Sequence, residues 1–153
     1  MNPASAYRQG NRTSAPLPAD VRQELVASQV WEDRARVALQ NDLAPDLLSA
    51  LIHDDNASVR HMLYNLHRDI PLVLLEAALE RHPEDAPSIS FQTDAPFAAL
   101  RLKPFNFASP DDIERYLTGS GANEDRSRAF RSIAKTSDNA LLTLDALMQS
   151  LSR

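Results

Sequence analysis

The stretch HDDNASVRHMLYNLHRDIP, His53 to Pro71, concentrates the side chains that could do chemistry: His53, His61 and His67 beside Asp54, Asp55 and Asp69. Imidazole and carboxylate together ligate divalent ions, and the same pair serves general acid–base catalysis. Spacing argues against both. Two histidines that share a metal from one helix stand four apart, on one face, whereas His61 and His67 are six apart and diverge. His53-Asp54-Asp55-Asn56 reads instead as a loop between helices, with Asp55 or Asn56 placed to cap the second. A capping loop without metal or cofactor is the expectation.

Other chemistries are narrowed by composition. The chain has no cysteine, which excludes disulfides, thiolate zinc sites, iron–sulfur clusters and a cysteine nucleophile. No Gly-rich phosphate loop, nucleophile elbow or zinc-protease motif occurs. The GSG at 119–121 follows a helical pattern and reads as its C-cap and turn. With 153 residues and a net charge of −5, the chain is of single-domain size and ill suited to a surface built mainly to hold nucleic acid. No segment approaches the roughly 18 apolar residues of a membrane span, and the N-terminus lacks a signal-peptide run. A cytoplasmic protein with no membrane contact is expected.

The elements that must position these residues are helical. Glycine occurs only at 10, 119 and 121, so the usual hairpin residue is missing from most of the chain. Pro45, Pro71 and Pro110 fall where helices would begin, and Ser109 before Pro110-Asp111-Asp112 is a strong N-cap. Leu47, Leu48, Leu51 and Ile52 form one apolar stripe; Leu74, Leu75, Ala78 and Leu79 form another, opposite Glu76 and Glu80. Helices are predicted at about 18–29, 31–41, 45–53, 57–66, 71–81, 110–118, 123–135 and 138–151. Residues 1–17 read as a disordered tail, and 18–153 as one helical domain. Within it, about 83–109 is an irregular connection, rich in Pro and Phe. A short helix is expected near 95–102, with Phe91, Phe97, Phe105 and Phe107 packed on the body.

Laid against itself, the chain repeats. Arg36, Leu39 and Asn41 recur 24 residues later as Arg60, Leu63 and Asn65. After two extra residues, Pro45, Leu47 and Leu48 recur as Pro71, Val73 and Leu74. Helix, turn, proline-started helix and acidic loop, at a period in the twenties, describe an α-solenoid. These residues resemble the leucine-rich-repeat-variant and HEAT-like repeat families of bacterial proteins over roughly 18–82. The resemblance implies an all-α fold, a short right-handed solenoid of HEAT-like hairpins. Arg36 and Arg60 read as bridges between adjacent units through their stems and guanidinium donors.

Such a scaffold acts through its surface. Asp46, His53, Asp54, Asp55, Glu76 and Glu80 fall on the polar sides of the proline-started helices and their loop, an acidic surface for a basic protein partner. Arg128, Arg131 and Lys135, at i, i+3 and i+7, form a stripe able to contact phosphate. The last helix carries Leu141, Leu142, Leu144, Leu147, Met148 and Leu151, which either close the core or pair a homodimer. The leading expectation is a non-catalytic interaction module, an adaptor or regulator. A nucleic-acid-binding HEAT-like protein is the alternative. A third is a metal-dependent phosphohydrolase, because His53-Asp54 matches the dipeptide of the HD type.

Overall fold

The computed structural model describes residues 16–139 and 141–151. The described residues are all-helical, with no strand; one isolated antiparallel bridge joins Pro104 and Thr143. The chain divides into two compact units between Ile70 and Pro71. Of the tail expected at 1–17, residues 1–15 lie outside the described residues. Leu17, expected to belong to that tail, is buried.

The first unit holds α1 (Ala19–Val26), α2 (Trp31–Ala38), α3 (Pro45–Ile52) and α4 (Ala57–Leu66). Helix α3 begins with Pro45 in its first turn, where the missing N–H costs nothing. Asn56 caps α4, its side-chain oxygen accepting from Ser58 N–H at 2.8 Å and Val59 N–H at 3.3 Å. Helix α2 packs on α1 and α4, and α3 packs on α1 and α4. Leu25, Val37, Leu51, Ile52, Val59 and Leu63 are fully buried, each contributing about 1.5–3 kcal/mol.

In the second unit, α5 (Leu72–Arg81) is followed by a 3-10 turn at Pro83–Asp85, α6 (Ala86–Ile89), α7 (Phe97–Leu100) and a 3-10 turn at Phe105–Phe107. Next come α8 (Pro110–Gly119), α9 (Glu124–Ala134), a 3-10 turn at Ser137–Asn139 and α10 (Leu144–Ser150). Ala95, Leu100, Tyr116, Leu117, Phe130, Ala134, Leu144 and Leu147 form its core.

Helix α8 is defined at both ends. The Ser109 hydroxyl accepts from Asp112 N–H and the Asp112 carboxylate from Ser109 N–H, both at 3.0 Å, a capping box. At the other end Ala122 N–H reaches Leu117 C=O and Gly121 N–H reaches Thr118 C=O, both at 3.2 Å. Gly121 has φ +73°, the left-handed residue that this Schellman closure requires.

The last helix is shorter than the predicted 138–151. Residues 142–145 lie instead along 101–105, with Phe105 N–H donating to Leu142 C=O at 2.8 Å and Leu144 N–H to Lys103 C=O at 3.0 Å. Thr143 then caps α10 through Ala146 N–H at 3.1 Å. Leu144 and Leu147 fill the core of their own unit, while Leu141 stays exposed.

The connection at 83–109 holds more local helix than its prolines imply, with its predicted helix narrowed to α7. Phe91 and Phe105 are half-buried. Phe97 lies flat on Tyr116, ring centroids 5.7 Å apart and planes 13° from parallel. Phe107 is an exception to the expected packing: it meets Phe91 edge-on at 5.5 Å but remains 58% exposed. No helix among the described residues is long and apolar enough to cross a membrane.

Candidate functional site

The histidine–aspartate stretch is built as a structural junction. His53 ends α3 as its C-cap residue. Asp54 turns inward: its oxygens accept from Arg34 Nε at 2.7 Å, Arg34 Nη2 at 3.2 Å and Asn56 N–H at 2.9 Å. Its carbonyl accepts from the buried Arg60 at 2.8 Å. The hydrogen bonds from Arg34 to Asp54 raise the guanidinium's pKa above its ordinary value, against the opposing effect of burial. Asp54 therefore sits behind the surface rather than on it.

The other two histidines are engaged separately. His61 stands edge-on to Tyr64 at 6.0 Å, and a ring nitrogen of His67 lies 3.0 Å from Ala38 C=O. Among the described residues no three His, Asp or Glu side chains gather as a metal site.

Arg34 and Arg22 are the residues that sequence reasoning missed. Arg22 is buried and donates from Nε to Leu17 C=O at 2.8 Å and from Nη2 to the Asp42 carboxylate at 3.1 Å, besides Nη1 to Asp42 C=O. Both arginines bind an aspartate 20 positions onward, Asp42 and Asp54. That shared spacing was the available signal. Equal spacing places each arginine to tie the chain after the following helix.

The predicted acidic residues divide between the units. In the first, Asp46 and Asp55 are exposed; Asp46 accepts from Gln23 Nε2 at 3.3 Å. In the second, Glu76 and Glu80 are exposed along α5. Leu72 and Val73 share that side, 46% and 71% exposed, so positions 72, 73, 76 and 80 make one open stripe, apolar then acidic. Helix α5 instead buries Leu75 and Ala78. Val73 departs from the repeat pattern, because its counterpart Leu47 is buried. Helix α3 also starts with Pro45 inside its first turn, whereas Pro71 precedes α5 as its N-cap.

The basic residues do share one face. Arg128, Arg131 and Lys135, with Glu124, Ser127 and Ser132, line a surface groove of about 380 Å³ along α9. Arg131 donates to Glu114 on α8. Arg128 stands 3.7 Å from Asp125 and 3.9 Å from Glu124, all three well exposed.

Two further polar groups sit inside the second unit. Lys103 Nζ donates to Asp112 at 2.6 Å, both side chains under 10% exposed, and lies 5.8 Å from the Phe91 ring centre. Burial pushes the Asp112 pKa up, but the Lys103 ammonium and the Ser109 cap outweigh it and leave the carboxyl below its ordinary range. Asp145 accepts from Tyr116 Oη at 2.7 Å and from Arg101 Nε at 3.0 Å. Burial and that carboxylate push the Tyr116 phenol well above its usual range. The first is a buried pair, and the second joins three side chains, of which Arg101 is half exposed.

Comparison with known protein families, with curated proteins and with solved structures gave no match.

Proposed function

We propose that this chain is a non-catalytic protein-interaction module, an adaptor or regulator built of HEAT-like helical hairpins. The observation that carries the reading is the open stripe of α5. Leu72 and Val73 lie exposed at its start and Glu76 and Glu80 continue it. Val73 occupies the place that Leu47 fills with core packing in the first copy of the pattern. Its apolar surface is thus available to another molecule. Covering Leu72 and Val73 contributes roughly 1–2 kcal/mol each, and the glutamates select a basic neighbour. The repeat equivalences of Arg36 with Arg60 and Asn41 with Asn65, and the Arg60 tie across the Asp54 loop, support the hairpin reading.

A pull-down from nuclease-treated lysate of the cells that make the protein tests this. Two variants accompany the parent: Leu72→Ser/Val73→Ser and Glu76→Lys/Glu80→Lys. A protein partner held by the parent and lost from both variants, with unchanged far-UV circular dichroism, is the expected result. A partner held equally by all three would set the reading aside.

A further inference from the structure

The groove along α9 is independent of the α5 stripe and has a different chemistry. Its lining runs at i, i+3, i+4, i+7, i+8 and i+11 from Glu124 to Lys135, a single helical face. The helix buries Phe130 and Ala134, which leaves this polar face outside. From it project two guanidinium groups, one ammonium, two serine hydroxyls and, at its start, the Glu124 carboxylate. Cations and hydroxyls are the side chains that hold phosphate oxygens.

Their arrangement narrows the ligand. Arg128, Arg131 and Lys135 follow one another along about 10 Å of helix instead of converging on a point. A row of that kind matches a row of charges better than one phosphate group. Duplex nucleic acid carries one charge per roughly 1.7 Å, or about six over that length. No aromatic ring lines the groove, so it has no platform on which unstacked bases of a single strand would rest. The carboxylates nearby set the strength. Glu114 engages Arg131, while Glu124 and Asp125 stand at 3.7–3.9 Å from an exposed Arg128, a distance and exposure at which an ion pair contributes little.

We propose that the α9 groove binds the phosphate backbone of double-stranded nucleic acid, without sequence preference, through Arg128 and Lys135, with Arg131 and the hydroxyls of Ser127 and Ser132 assisting. Binding is weak and strongly salt-dependent, since the chain as a whole is acidic, at net −5. Phosphate contacts from Arg128, released from its exposed ion pairs, and from Lys135 give a slope of log affinity on log salt of about −2, a fall of roughly 15-fold between 50 and 200 mM.

The test is fluorescence anisotropy of a labelled 20-base-pair duplex of arbitrary sequence with the purified chain. Alongside run Arg128→Glu/Lys135→Glu and the milder Arg128→Gln/Lys135→Gln, each checked for parental helicity. The expected result is the salt slope above, a duplex preferred over the single strand, and binding lost with the glutamates and weakened with the glutamines. No binding at 50 mM salt, or binding unchanged in both variants, overturns the proposal. So does an equal affinity for polyglutamate, which would make the groove a carboxylate-binding surface.

Discussion

Single residues decide where charge is held inside this protein. Asp54 is the clearest case, since it satisfies two Arg34 donors and an Asn56 amide at once. Asp54→Ala leaves them without an acceptor and is expected to cost about 2–3 kcal/mol, read from urea unfolding. Mn²⁺ should leave the melting temperature unchanged both in the parent and in His53→Ala, next to it. A melting temperature raised by Mn²⁺ in the parent and lost in that variant would instead revive metal chemistry. Asp112 makes a pH prediction. Its carboxyl is held below its ordinary range in the folded protein, so the stabilisation is present above the unfolded value, about 4, and lost as pH falls through the folded one. Asp112→Asn should therefore be less stable than the parent by about 2 kcal/mol near pH 6. The gap should narrow below about pH 4. A gap that stays constant from pH 6 to pH 2.5 would show that the Lys103 pair contributes nothing.

At the scale of elements, caps were legible and fine boundaries were not. Ser109 and the α4 start at 57 follow local chemistry, because a cap bonds amides two or three residues away. The GSG turn follows too, and its two glycines have separate reasons. Gly121 adopts the left-handed conformation, so Gly121→Ala should cost about 1 kcal/mol. Gly119 is required by a neighbour: a Cβ there would come within 2.5 Å of the Phe97 ring. Gly119→Ala should displace that ring from Tyr116 and cost about 1–2 kcal/mol. Near-ultraviolet circular dichroism reports the ring and thermal unfolding the cost. The C-terminal pattern misled because residues 141–144 are apolar enough to continue a helix, yet their backbone is taken up by residues 103–105, some forty positions away in sequence. No local pattern encodes such a partner.

For the molecule as a whole, the division at Ile70 and Pro71 matters most. The second unit owns a core drawn from 95 to 147, all within itself. Expressed alone, residues 71–153 should remain helical and unfold cooperatively in urea, with a slope of about 1 kcal/mol per molar. A sloping, non-cooperative loss of ellipticity would show that this core is insufficient. The same division assigns Asp46 and Asp55 to the first unit and Glu76 and Glu80 to the second.

What the sequence by itself determined is the helical class, the absence of thiol chemistry and most helix positions. These rest on periodicity, proline placement and composition, all of which act over a few residues. The histidine stretch was also legible as a junction, because the Asn56 cap acts over two or three residues. Only the tertiary structure decided which polar groups remain on the surface. Asp54 and Glu76 are both acids beside apolar stripes, but an arginine twenty residues away holds Asp54 inward while Glu76 stays exposed. Leu47 and Val73 hold the same place in the pattern and differ in burial for the same reason, since burial depends on what packs against a position.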